Sequence, residues 1–335
     1  MLTSFLFFGV LLLGCAPAPN ESPEVIQMAG KTMGTSYHIT LVVEPEKRAT
    51  IDPVQLQADV DEQLKLVNQQ MSTYIPDSEL MQVNAAPVNE WLYLSEPLRQ
   101  VLVLSQDISR KSGGAFDVTV GPLVNLWGFG PEKREGAPSQ HDIDQLRERI
   151  GYQFMEITGH QLRKERDIWI DLSAIAKGFG VDVVADYLLA QGFDNLMVEI
   201  GGELRLHGQS PRGTPWRIAI EQPEAMQGSV HKAIALSNMA MATSGDYRNY
   251  FEQDGKRFSH TLNPSTGYPI DHRLASVTVL APTAAQADAW ATAINVLGPE
   301  KGMQVAEQEE LAVYLIIKTD EGFVDNYSTA FEPYK

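Results

Sequence analysis

Leu196-Met197-Val198-Glu199-Ile200-Gly201-Gly202-Glu203-Leu204-Arg205-Leu206-His207 reads as two short strands joined by a two-residue turn. Gly-Gly tolerates the positive φ angles of tight hairpin turns, so Leu196–Ile200 and Glu203–His207 are expected to form a hairpin. Working outward, most of the chain from Leu196 to Leu280 reads as strands, with Asp254-Gly255 as a second hairpin turn between two alternating runs. Residues 311–317 and 323–327 read as a last hairpin. Upstream, residues 37–43 alternate as a strand, and 54–71 carry Leu56, Val60, Leu64, Val67 and Met71 at helical spacing. Ser95 is a candidate N-cap for a helix whose apolar face includes Leu98, Val101, Leu102 and Ile108 and which ends at Gly113-Gly114. Residues 168–172 read as a short strand leading into a helix with Val181, Val184 and Leu188, closed near Gly192; a last helix is expected over 283–297. Strand clusters and helices without a regular βαβ rhythm place the chain in the α+β class, with mixed or antiparallel sheets packed against helices.

A chain of 335 residues buries a large core, as one domain or as two lobes sharing an interface. The net charge of −17 repels nucleic acid and membrane phosphate, so no nucleic-acid partner is expected and any phosphate ligand needs a cation beside it. The stretch from Phe5 to Leu13 is almost wholly apolar but too short to span a bilayer as a helix, and it reads as a signal peptide. Leu12-Leu13-Gly14-Cys15 resembles a bacterial lipobox, although no Lys or Arg precedes the apolar run. The expected organisation is a lipoprotein signal over 1–14, a lipidated tether over 15–29 beginning at Cys15, and a folded body over 30–335. Cys15 is the only cysteine, so there is no internal disulfide. A cleaved secretory signal with an incidental cysteine fits the same residues.

Four stretches carry candidate chemistry. Ser259-His260-Thr261-Leu262-Asn263-Pro264-Ser265-Thr266-Gly267 sets an imidazole beside a punctuated turn. Such a histidine can be aimed as a general base, and an ordinary structural histidine fits equally. No two histidines have His-x-x-x-His spacing, so zinc is not expected. Thr283 with Gln286 is a capping-box pattern that fixes the register of the following helix. In that register Asp288 and Thr292, four apart and about 40° around the axis, share a face amid small alanines. A hard cation with oxygen ligands suits the pair; so do a solvated aspartate and a threonine bonded back to its own helix. Asp171-Leu172-Ser173-Ala174-Ile175-Ala176-Lys177-Gly178 runs from a strand into a helix, where backbone amides gather around anions and a lysine adds a movable charge. It matches neither the Walker loop nor the dinucleotide fingerprint, and close packing also explains its small residues. Finally, Gly and aromatic residues interleave from Gly113 to Gly130, around Ala115-Phe116-Asp117, as a platform for a planar ring or as a series of turns.

Together these stretches resemble the ApbE family, the FAD:protein FMN transferases, over nearly the whole chain after the tether. The matching pieces begin with Gly30-Lys31-Thr32-Met33-Gly34-Thr35, Met71-Ser72-Thr73-Tyr74 and Ala115-Phe116-Asp117-Val118-Thr119. They continue with Asp171 to Gly178, Glu199-Ile200-Gly201-Gly202, Thr243-Ser244-Gly245-Asp246-Tyr247, the His260 segment and the Asp288 helix. The resemblance implies a bilobed fold and a magnesium-dependent enzyme of the cell envelope, lipid-anchored on the periplasmic side of the membrane. Such an enzyme cleaves FAD, attaches FMN through a phosphoester to a Thr or Ser hydroxyl of a partner protein, and releases AMP. By the same resemblance the magnesium ligands fall on Asp288, Thr292 and the main-chain oxygen of Ala174, and His260 is the base. FAD contacts fall on Met33, Tyr74, Ala115, Phe116, Asp117, Asp171, Lys177 and Leu262. Implied acceptors are subunits of sodium-translocating NADH:quinone reductases or Rnf-type complexes. Asn263 departs from the pattern, because the family often has Asp there. Two other activities draw on the same residues: an FAD pyrophosphatase releasing FMN and AMP, and a non-catalytic FAD-binding lipoprotein.

Overall fold

The computed structural model describes residues 22–335 apart from 131–133, 135, 224–228, 246–249 and 254. Cys15 and the apolar run before it lie outside the described residues, as do Asp254 of the second expected turn and Asp246-Tyr247.

An eight-stranded sheet forms the frame, in the order Glu24–Thr32, Thr35–Val43, Leu196–Ile200, Glu203–His207, Met239–Gly245, Leu274–Ala281, Ala312–Thr319, Gly322–Tyr327. The Leu196–His207 hairpin stands at its middle, in the register Ile200↔Glu203 with Gly201 (φ 61) and Gly202 (φ 109) at the turn. Every strand pairing among the described residues is antiparallel, which narrows the expectation of mixed or antiparallel sheets to the second. The Leu274–Ala281 strand is buried at all eight positions and so shows no polar alternation. One face of the sheet is covered by the helices Pro53–Met71, Ala176–Ala190 and Ala284–Gln308. Against the other face packs the two-stranded unit Trp216–Glu221 and Val230–Leu236, through Trp216, Ile218, Leu236, Tyr314 and Phe331. A smaller sheet, Trp91–Tyr93, Gln161–Lys164 and Met155–Thr158, joins the Glu96–Lys111 helix, whose expected cap Ser95 accepts from Leu98 N at 3.4 Å.

Two close approaches set the position of the last long helix. A Cβ on Gly178 would sit 2.3 Å from Ala284 O, so only glycine lets the Ala176–Ala190 helix meet the start of the Ala284–Gln308 helix. From the same helix, the carboxylate of Asp182 accepts from Ala284 N and Ala285 N, each at 2.9 Å, and caps its neighbour. Burial pushes the Asp182 carboxyl up to about 6, against the opposing pull of those two amides and of Arg205. Gly178→Ala is therefore expected to destabilise the protein by about 2 kcal/mol or more through overpacking against backbone. Urea denaturation reads this as a lowered midpoint, and an unchanged midpoint contradicts the close-contact account.

Two expectations change, and a third gains an addition. The tether was expected to reach residue 29, but Glu24–Thr32 is a strand paired from Glu24↔Val43 to Thr32↔Thr35, so the folded body extends back at least to Glu24. Ile26 and Met28 point into the core between exposed neighbours. Residues 168–172 are not a strand. Asn84 Oδ1 accepts from Ile170 N and Asn84 Nδ2 donates to Ile170 O, both at 2.8 Å, while Asp171 N donates to Val118 O at 2.7 Å. The helix expected over 283–297 does end there, since helical geometry breaks at Gly298 (φ 77), but a second helical run, not expected, follows from Pro299 to Gln308. Proline suits that restart because the first turn of a helix needs no N–H from it.

Candidate functional site

The start of the Ala176–Ala190 helix, the middle of the Ala284–Gln308 helix, the strip from Ala115 to Val118 and the His260 segment converge on a cleft of about 660 Å³. Tyr74, Ala115, Phe116, Asp117, Asp171, Ala174, Lys177, His260, Leu262, Asp288 and Thr292 all line it. Met33 does not. It occupies the turn between the first two strands at φ 49, and its side-chain tip packs toward Gly180, where a Cβ would lie 2.8 Å from Met33 Cε.

Asp288 is 4% exposed, and its Oδ2 accepts from Gly178 N at 3.1 Å and lies 3.7 Å from Lys177 Nζ. Gly178 lies in the first turn of the Ala176–Ala190 helix, where amides have no intrahelical acceptor, so Asp288 caps it from the neighbouring helix; Ala174, just before that helix, lines the cleft wall. Lys177 Nζ also donates to Glu203 Oε1 at 2.8 Å. Burial by itself lowers the Lys177 ammonium, but the charges of Asp288 and Glu203 outweigh it and hold the lysine protonated well above its usual range. Burial and the nearby Asp288 charge push the Glu203 carboxyl up, with Lys177 acting against them.

His260 lies edge-on to Phe129, with ring centroids 6.3 Å apart. The turn after it is fixed from several sides: Trp127 Nε1 donates to Gly267 O at 2.9 Å, Arg147 Nη2 donates to Ser265 O at 2.5 Å, and Asn263 N donates to Tyr268 O at 2.8 Å. Gly267 is required there, since it has φ 78 and a Cβ would come 2.5 Å from Ile143 Cγ2. Asn263 Oδ1 accepts from Ser265 N at 2.9 Å and from Ser265 Oγ at 2.7 Å. The departure from the family's Asp therefore falls on an oxygen that closes a turn, a task that an aspartate oxygen performs equally.

The remaining nominated residues shape the walls. Asp117 Oδ1 accepts from Thr119 N and Thr119 Oγ1, and Oδ2 accepts from Tyr152 N, so this carboxyl, pushed up by burial, fastens the strip. Asp171 Oδ1 accepts from Ser173 N at 2.8 Å, which shapes the loop entering the helix. Tyr74 is 65% exposed and stands at the rim. Partial burial, and then the charge of Asp171, raise its phenol.

Sequence reasoning missed Glu203, which lines the cleft; Phe129 and Thr243-Ser244-Gly245, inside stretches the sequence singled out without giving these residues a role, line it as well. For Glu203 a signal was present. Glu203 and Arg205 alternate with Leu204 and Leu206, so a charged face must meet a charged neighbour, and the Ala176–Ala190 helix supplies it through Lys177, Asp182 and Asp186.

The family model for the "ApbE family" matches residues 33–315. An FAD:protein FMN transferase of Vibrio cholerae is 47% identical over 331 residues, covering 97% of this chain and 96% of the relative. A solved structure of the flavin transferase ApbE from Vibrio cholerae superposes with a TM-score of 0.87 at 46% identity, covering 93% of this chain and 100% of that one. The apo flavinyl transferase ApbE of Pseudomonas stutzeri gives a TM-score of 0.84 at 40% identity, covering 93% of this chain and 97% of that one. With its sheet, its cleft and these full-length likenesses on one chain, the protein belongs to the ApbE family.

Proposed function

We propose that this chain is an FAD:protein FMN transferase: it moves FMN from FAD to a threonine or serine hydroxyl of a partner protein through a phosphoester and releases AMP. The observation that carries the reading is the convergence of His260, Lys177 and the oxygen set of Asp288, Thr292 and Ala174 on one cleft. In the reaction the acceptor oxygen forms a bond to the phosphorus of the FMN half, the bond from that phosphorus to the AMP oxygen breaks, and the acceptor's proton passes to His260. Lys177 faces the phosphates with a charge that its two carboxylate neighbours hold in place. Tyr74 at the rim and the Ala115–Asp117 strip receive a flat ring, and Asp171 and Leu262 shape the adjoining wall.

The donor set fits magnesium. The set offered by Asp288, Thr292 and the Ala174 carbonyl is all oxygen. One carboxylate with a hydroxyl and a carbonyl leaves positions for water and phosphate oxygens, as magnesium prefers. Bound there, magnesium would neutralise charge on the phosphates.

The cellular setting of the proposal is the periplasmic face of the bacterial envelope, with Cys15 as lipid anchor. No helix among the described residues is long and apolar enough to cross a membrane. Acceptors of the proposed class are subunits of sodium-translocating NADH:quinone reductases or Rnf-type complexes. Incubating the protein with FAD, magnesium and such a subunit is expected to give a fluorescent flavin band that survives denaturing electrophoresis. Release of FMN and AMP without that band identifies a pyrophosphatase instead.

A further inference from the structure

Among the described residues, the buried side-chain atoms with no hydrogen-bond partner are Glu203 Oε2 and the amide atoms of Asn295. Only Glu203 lines the cleft. It is 4% exposed, and its other oxygen is taken by Lys177 Nζ at 2.8 Å. A buried carboxylate oxygen left without a donor is costly, which points to a donor that arrives with the ligand.

The surroundings restrict what that donor is. Facing Glu203 in the ionised form that its pairing with Lys177 favours, a phosphate oxygen brings no proton and is repelled. A cation shared with Asp288 meets an ammonium already in place, since Lys177 Nζ is 2.8 Å from Glu203 Oε1 and 3.7 Å from Asp288 Oδ2. What remains is a neutral O–H or N–H. Since Lys177 on the same carboxylate faces the phosphates, the donor must lie close to them, and in a dinucleotide the nearest such groups are sugar hydroxyls. We propose that Glu203 is a specificity residue, with Oε1 fixing Lys177 and Oε2 accepting a hydrogen bond from a sugar hydroxyl of the dinucleotide. This rests on the reading that the cleft binds FAD. The hydroxyl belongs either to the ribose of the AMP half or to the ribityl chain of the FMN half. A site built around a substrate hydroxyl rejects an analogue that lacks it far more strongly than an apolar pocket does.

The test compares binding of FAD with binding of analogues that lack single hydroxyls of the ribose or of the ribityl chain, read with magnesium present by flavin fluorescence and, for confirmation, by calorimetry. The unmutated protein is expected to bind one analogue at least tenfold more weakly than FAD, and the identity of that analogue assigns the half. Glu203→Ala is expected to lose at least tenfold for FAD but less than threefold for that same analogue. Glu203→Gln, which keeps shape and one acceptor oxygen, falls between. Equal binding of FAD and every analogue by the unmutated protein overturns the proposal whatever the variants do. An equal loss for all ligands in Glu203→Ala, or a loss confined to magnesium affinity, overturns it as well. An unmutated protein that binds no FAD overturns the reading of the cleft and the proposal with it, whereas one that binds FAD without discrimination overturns the proposal alone.

Discussion

When Asp288 is replaced by Ala, AMP release from FAD is expected to fall by about a thousandfold or more, with no recovery at high magnesium. The size follows from what this side chain does in the cleft. It is the one carboxylate of the proposed donor set, and charge stabilisation by a bound metal is worth several kcal/mol, each ~1.4 kcal/mol being a factor of ten in rate. Asp288 also accepts from Gly178 N and balances Lys177, so its loss leaves a buried amide and an ammonium with fewer partners. Asp288→Asn separates the two roles. It retains an oxygen for Gly178 N while removing the charge, and it is expected to fold as the unmutated protein does and still fail to turn over. Chromatographic measurement of AMP at saturating FAD across a magnesium titration decides the matter. Parent-level activity at saturating magnesium would show that the metal assignment is wrong.

His260→Ala is expected to bind FAD as the unmutated protein does and to transfer FMN about 10² to 10⁴ times more slowly, the usual worth of a positioned general base. His260 is held by its edge-on contact with Phe129 and by a turn tied to Trp127 and Arg147, so its removal leaves the Asp288 and Lys177 wall untouched. FAD affinity by fluorescence titration and single-turnover transfer rates are the two readouts. A matched loss in both makes His260 a binding residue and moves the proton elsewhere.

How much of this was legible in the sequence depended on how local each cause was. The Leu196–His207 hairpin was legible because turn and alternation lie within twelve adjacent residues and the sheet simply extends them. The shared face of Asp288 and Thr292 was legible because Thr283 fixes the helix register, and Thr283 Oγ1 does accept from Gln286 N at 3.3 Å. The strand Glu24–Thr32 was hidden by its polar, proline-flanked start; its strand character comes from Thr35–Val43, with which it pairs throughout. Residues 168–172 have strand-like alternation, with Ile168, Ile170 and Leu172 buried, yet Ile170 is met by the side chain of Asn84, more than eighty residues away, and Asp171 N by Val118 O, which no local pattern announces. For Glu203 the alternation with Arg205 signals a charged face, but not what meets it: only the fold shows the neighbouring helix setting Lys177 on one oxygen and nothing on the other. The ligand roles assigned to cleft residues came from resemblance to the ApbE family, and the geometry of the cleft supplies the reason to test them together.

The central claim is that FMN leaves this cleft on a protein rather than in water. Mass spectrometry of a candidate acceptor subunit co-expressed with this chain tests it most directly. The account predicts one added FMN phosphoryl group on a threonine or serine, lost when Asp288→Ala replaces the unmutated protein. An acceptor that stays unmodified while FAD is converted to free FMN and AMP contradicts it.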